Sequence, residues 1–313
     1  MPRLISLAAY AVKVWNPNDR DYELLSDFDS DGADVFDFVH DVLSAIKTKT
    51  LDQKALQQAF SVPKLEKNDR TLRGTVETGQ YGYESDFINV KTGKNVFQRQ
   101  KEDAEMLPFY FYFEIPEGAE DGILILQRTS AFGIRKVLHW VLNIAFEEKY
   151  PEYKLRFRPL VAESEVDRFM HGKIQKIHFI KKSIPADLEE GFDKGHKEVR
   201  GTVELVIRAS KKSILPMNGL LSKIFKNFKN QEVGGVFALA DDEDFAYDNV
   251  KAEVKVGRAT RTINAAHPGR IRSYFDVTDD VEIGSNGHPR YNSIQEQGDK
   301  LAAQLRTLLY GEA

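Results

Sequence analysis

Three carboxylates on alternate positions, Asp27, Asp29 and Asp31, with Gly32 directly after them, could converge on one hard cation if the glycine permits a sharp turn. The rest of a calcium loop is missing. The eighth position is Asp34 where an aliphatic residue is usual, and the twelfth is Phe38 where a bidentate Glu would close the shell. The alternative is an acidic loop at a helix start, where carboxylates meet the positive end of the helix dipole. A second set of reactive types lies in Lys251-Ala-Glu253-Val-Lys255. On a strand, Glu253 and Lys255 project from one face. Asp241 stands twelve residues before Glu253, at the end of the apolar run Val236 to Ala240, and Asp242, Asp244 and Asp248 can replace it if the register differs.

Asp241 followed by Glu253-x-Lys255 resembles the core signature of restriction-endonuclease-like nucleases. The resemblance implies a magnesium ion held by the two carboxylates and a lysine that assists the attacking water. Two features depart from that family. No proline precedes Asp241, and another basic strand pair follows the Glu-x-Lys strand where a supporting helix is expected. The other reading is a half-exposed strand, with Lys251, Glu253 and Lys255 facing solvent and Ala252, Val254 and Val256 buried.

Charge is distributed unevenly around these residues. The net charge is only −4, yet Leu205 to Asn230 carries Arg208, Lys211, Lys212, Lys223, Lys226 and Lys229 with no acid. Asn249 to Phe275 carries Lys251, Lys255, Arg258, Arg261, Arg270 and Arg272 against Glu253 alone, whereas Asp19 to Asp41 has nine acids against Arg20. Such segregation points to a polyanion partner for the C-terminal part. Lys223, Lys226 and Lys229 share one face of an expected helix, as phosphate contacts would require, although a solvated helix face looks the same. Arginine forks at 258, 261, 270 and 272 favour phosphate binding, with Ala265 to Gly269 as the tip of a basic hairpin.

Other arrangements are weaker. Arg128-Thr-Ser130 to Lys136 is a strand–helix junction whose free N–H groups, with Thr129, Ser130 and Arg135, could hold a phosphate; a plain N-cap is the alternative. Phe109-Tyr-Phe-Tyr-Phe113 could stack bases if exposed, but reads as a central strand packed on both sides. His139 and His178 have no partner evident in sequence. The absence of cysteine excludes disulfides, thiolate metal sites and a cysteine nucleophile, and fits a cytoplasmic location. The opening apolar run is broken by Lys13 and by Trp15-Asn-Pro-Asn, so it reads as a strand and not as a signal peptide. No apolar stretch is long enough to span a membrane.

The elements that must position these residues follow from periodicity. Strands are expected at Arg3 to Trp15, Leu107 to Ile115, Ile123 to Arg128, Lys154 to Leu160, Lys173 to Lys181, Val199 to Arg208, Val233 to Ala240, Val250 to Val256, Arg258 to Ala265 and Ile271 to Val277. A hairpin is expected over Arg70 to Val90, with a further turn at Lys91 to Lys94. Helices are expected at Asp34 to Lys47, Asp52 to Phe60, Ala131 to Tyr150, Glu163 to Met170, Met217 to Asn230 and Ile294 to Tyr310, the last with a capping box of Ser293 and Glu296. Gln98 to Glu105 reads as a linker. The fold class is α+β, with two packed domains of mainly antiparallel sheet and flanking helices. They are residues 1–190, and residues 191–313, a basic β-rich domain with a terminal helix.

Ile123-Leu-Ile-Leu-Gln-Arg-Thr-Ser-Ala-Phe-Gly-Ile134 and Lys173 to Pro185 resemble stretches of uncharacterised bacterial proteins from anti-phage defence and mobile-element loci. The resemblance implies an accessory or sensor role beside a membrane or helicase partner and supplies no catalytic residues. The combined expectation is a non-enzymatic, cytoplasmic nucleic-acid-binding component of a bacterial antiviral defence system. It needs no cofactor, binds DNA, and forms a homo-oligomer or joins a protein partner without inserting in a membrane. The alternatives are a magnesium-dependent nuclease using Asp241, Glu253 and Lys255, and a structural, oligomer-forming interaction protein.

Overall fold

A computed structural model describes residues 3–47, 49–160, 173–181, 201–210, 249–256, 259–264 and 274–311. The chain groups into two compact units, one formed by Met1–Leu160 with Tyr274–Ala313 and the other by Val161–Ser273. The sequence expectation places the division near residue 190, whereas this grouping places residues 161–273 together. The terminal helix packs on the N-terminal sheet, and residues 173–181 pair with strands of the second unit. The fold is α+β, and every strand pair among the described residues is antiparallel.

The first unit is organised around β1 (Ile5–Asn16), in which every residue from Ile5 to Val12 is buried. Its near-continuous apolar run is what a strand covered on both faces needs. Odd positions Ile5, Leu7, Ala9 and Ala11 join one apolar cluster, and even positions Ala8, Tyr10, Val12 and Val14 join another. Along one edge of β1 lie β9 (Gly122–Thr129), itself paired with the short β10 (Phe132–Gly133), and then β2 (Asp21–Glu23). Along the other lie β16 (Tyr274–Asp276) and β11 (Lys154–Pro159). The sheet continues from β9 through β8 (Leu107–Glu114), β5 (Thr71–Gln80) and β4 (Gln58–Asn68) to β3 (Leu51–Gln53).

Strand β8 carries the alternating Phe/Tyr run. Phe109, Phe111 and Phe113 pack with α1 (Val35–Ile46) and α2 (Arg135–Lys149), while Tyr110 and Tyr112 pack with α3 (Tyr291–Tyr310). All five are buried, so none is open to stack a base. The β8–β9 ladder stops at Phe111 opposite Leu126; beyond it the buried Gln127 Oε1 accepts the Tyr110 N–H at 2.8 Å.

Asp34 starts α1 by accepting the Phe36 N–H at 2.6 Å, and also takes a forked pair from Arg70 at 2.7 and 3.1 Å. Arg70 additionally donates to the Ile115 carbonyl, so one side chain ties the helix start to the β4–β5 turn and the end of β8. Arg73 does the same for α3. It donates to Glu66 at 3.1 Å and meets Asp299 at 3.3 Å, while the Tyr291 hydroxyl donates to Glu66 at 3.2 Å.

Several expected elements are corrected. Asp52 to Phe60 is not a helix but β3, a single 3-10 turn (Lys54–Leu56) and the start of β4, because Phe60 and Val62 bury completely against the sheet. The hairpin expected over Arg70 to Val90 is two hairpins. One joins β4 and β5 through Asp69-Arg70, and the other joins β6 (Ser85–Ile88) and β7 (Asn95–Arg99) through the Lys91 to Lys94 turn. Arg99, in the expected linker, is a buried anchor of that ribbon. It bonds the Asp103 and Gln80 carbonyls and the Tyr83 hydroxyl, and lies 4.3 Å over the Tyr83 ring. The α3 N-cap is Arg290, and Ser293 instead accepts the Glu282 N–H.

His139 on α2 packs its ring against Phe157 at 5.0 Å. Burial, helped by the nearby Arg135 charge, holds its imidazole below the ordinary value. The unfolded chain takes up a proton near pH 6.5, which the folded chain resists until lower pH. Stability of the first unit is therefore expected to fall as pH drops below about 6.5. Urea unfolding at pH 7.5 and 5.5 measures this loss, which should shrink in His139→Gln.

The second unit, in its described part, is a four-stranded sheet ordered β13 (Val203–Arg208), β12 (Lys173–Lys181), β14 (Asn249–Val256) and β15 (Ala259–Asn264). Among the described residues no helix is long and apolar enough to cross a membrane.

Candidate functional site

Alternation divides the second sheet into an apolar and a polar face. Ile174, Ile177, Phe179, Val250, Ala252 and Val254 are buried on one side. The opposite side carries Lys173, Lys176 and His178 from β12, Glu204 and Arg208 from β13, and Lys251, Glu253 and Lys255 from β14. A register shift between Ile174 and Lys176 keeps Lys173 and Lys176 on that one face.

Glu253 is the electrostatic centre of this face. Lys176 Nζ approaches it at 2.6 Å and His178 Nε2 at 3.4 Å, while His178 Nδ1 lies 2.8 Å from Glu204. The Lys176 ammonium donates to Glu253 and holds its carboxyl below the usual range against the opposing effect of partial burial; His178 adds to this. The cations outnumber these two acids. Lys173 stands directly across from Lys255, and Lys176 across from Arg208. Like charges placed opposite each other destabilise a sheet. Among the described residues Lys173, Arg208, Lys251 and Lys255 have no ion-pair partner. Cations are thus in excess on this face, which also carries the exposed Val206 opposite His178.

Sequence-expected residues fall in three groups. Glu253 and Lys255 share the polar face, as expected, and Glu253 is occupied by Lys176 and His178. Arg261 sits in β15 opposite Val254, one register step from the pairs that include Glu253 and Lys255. Asp241, Lys211, Lys212, Lys223, Lys226, Lys229, Arg258, Arg270 and Arg272 lie outside the described residues. Lys173, Lys176 and the carboxylates around His178 were missed, although the alternation in Lys173 to Lys181 signalled a strand with a basic face.

The acidic loop is folded on itself. Asp29 accepts the N–H groups of Asp31 and Ala33 at 3.0 and 2.9 Å, and Asp27 accepts that of Gly32 at 2.8 Å. The Ala33 bond is the main cause of the lowered Asp29 pKa. Asp27 and Asp29 thus cap loop amides, and among the described residues no group of three ligating side chains is placed to hold a metal. The strand–helix junction makes no phosphate cradle from its side chains. Arg135 bonds the Phe157 carbonyl at 3.0 Å, Arg128 lies over the Tyr274 ring, and neither Thr129 nor Ser130 caps α2, which begins after Ile134 without a side-chain cap.

Searches of the sequence against family models and against curated proteins returned no match.

Proposed function

We propose that this chain is a nucleic-acid-binding protein without catalytic activity, and that the polar face of the second sheet contacts the phosphate backbone of DNA. The carrying observation is the placement of Lys173 across from Lys255 and of Lys176 across from Arg208, with Glu253 offsetting only Lys176 and His178. Phosphates between such rows would relieve the repulsion and release counterions. The basic runs at 205–230 and 249–275 extend the same charge along the chain. An accessory or sensor role in bacterial defence, with a partner subunit or a second copy, agrees with the resemblance of the 123–134 and 173–185 stretches.

Lys251→Glu with Lys255→Glu is expected to weaken duplex binding at least tenfold, read by fluorescence anisotropy. Wild-type affinity should fall steeply with salt, and the log–log slope should drop by about one for each phosphate that a variant no longer neutralises. Salt-insensitive binding, or none, would overturn the proposal. Glu253→Gln separates this reading from a magnesium nuclease. Removing the central acid should tighten binding by a factor of a few, whereas a metal ligand's loss would abolish cleavage.

A further inference from the structure

A second basic surface lies in the first unit, at the end of β1 and next to the C-terminal end of α3, whose Tyr310 hydroxyl donates to the Asp121 carbonyl at 2.7 Å. Edge strand β11 alternates strictly. Leu155 and Phe157 are buried in the helix-covered core, so Lys154, Arg156 and Arg158 project from the other face. On that same face β1 supplies Lys13 opposite Arg156 and Trp15 opposite Lys154, and β2 supplies Tyr22 opposite Trp15. The apolar cluster that joins α3 to this side of the sheet takes in Ala11 of β1 but neither Lys13 nor Trp15.

Cations and rings interleave there. The Arg156 guanidinium lies 4.6 Å over Trp15, the Arg158 guanidinium 5.2 Å over Tyr22, and Lys13 Nζ 4.4 Å over Tyr22; the two rings meet edge-on at 5.0 Å. Lys13 is paired with Asp121 at 2.8 Å. Among the described residues Lys154, Arg156 and Arg158 have no carboxylate partner; the arginines rest on aromatic faces instead. Asp19 and Glu23, on the neighbouring turn and β2, are held by the Asn16 amide at 2.7 and 2.9 Å.

A guanidinium laid on a ring is weakly hydrated and already ordered, so little freedom is lost when its edge meets a phosphate. Its outer plane remains a platform for a base, and bases stack on arginine and aromatic planes only when they are unpaired. We propose that Lys154, Arg156, Arg158 and Trp15 form a binding site for single-stranded nucleic acid, made of residues separate from the duplex-contacting face of the second unit and independent of that reading.

The test uses the full chain and a labelled twenty-nucleotide oligo(dT), beside a duplex of equal length. Arg156→Ala with Arg158→Ala, which leaves Leu155 and Phe157 in place, is expected to weaken oligo(dT) binding at least tenfold and to leave duplex binding within twofold. Lys251→Glu with Lys255→Glu should give the reverse pattern, so either reading can fail alone. In a Trp140→Phe background, which removes the second of the two tryptophans, oligo(dT) should quench Trp15 fluorescence. If the alanine pair fails to fold, Arg156→Lys with Arg158→Lys keeps the charge but loses the planes, and should cost severalfold. Unchanged oligo(dT) affinity in the folded variants overturns the proposal. So does a wild-type chain that ignores oligo(dT) but binds polyglutamate through these arginines.

Discussion

Gly74→Ala should destabilise the first unit by about 3 kcal/mol, at the upper end of what overpacking usually costs. A Cβ at Gly74 would lie 1.9 Å from the Lys64 carbonyl oxygen and 2.8 Å from its carbon. These are backbone atoms of the paired strand, so no side-chain rotation relieves the contact. The approach is close because β4 changes register between Ser61 and Lys64, which forces its backbone over Gly74. Phe111 behind Gly74, 3.1 Å from the same Cβ, closes the other way out. A loss of this size lowers the melting temperature by roughly 6–12 °C for a unit of some 200 residues. Gly118→Ala is the control. Gly118 has φ +67 with nothing within 4 Å, so that change carries only the left-handed backbone strain of about 1 kcal/mol. A Gly74→Ala melt within 2 °C of wild type would refute the close crossing.

The second large effect is expected at the helix–sheet contact. Gly298 of α3 rests on Tyr110, where a Cβ would come 2.6 Å from Cε1 and 2.8 Å from the hydroxyl oxygen. Tyr110 is 1% exposed and cannot step aside. Gly298→Val should therefore lift α3 off β8 and cost about 3 kcal/mol. The gain in helix propensity, below 1 kcal/mol, does not offset this. Tyr110→Phe should be close to neutral, because its hydroxyl is buried without a hydrogen-bond partner among the described residues and removing it leaves no orphaned group. Combined with Gly298→Val it should recover only part of the loss, since the ring carbon remains. Chemical unfolding of the two single variants and the double variant gives the coupling.

The sequence made some of this legible because local pattern and tertiary role agreed. β1, β8, β9, α1, α2 and the strands at 173–181 and 249–256 follow from periodicity, since each buries the residues its pattern sets apart. Asp52 to Phe60 failed for the opposite reason. Its composition suits a helix, but the burial of Phe60 comes from distant β5, which no local window contains. The place of the terminal helix was hidden likewise, because only tertiary contact shows Leu301 and Leu305 packing with Leu7 and Ala9. At the candidate site, the shared face of Glu253 and Lys255 was readable from strand geometry. The partnership of Glu253 with Lys176 and His178 was not, as 77 residues separate Lys176 from Glu253. The Arg156 and Arg158 surface was overlooked because charge was read as runs, and Lys154-Leu-Arg-Phe-Arg hides its charge in alternation.

The packing of α3 and β16 on β1 sets an order of events during synthesis. When Leu160 has been made, the even face of β1 already has α1 and α2 to cover it. The odd face, with Leu7, Ala9, Tyr110 and Ile125, waits for Tyr274 to Tyr310. At about 5–20 residues per second that wait lasts roughly 8–30 s. For that time a nascent chain presents a sticky half-finished sheet, a natural target for a chaperone on the ribosome.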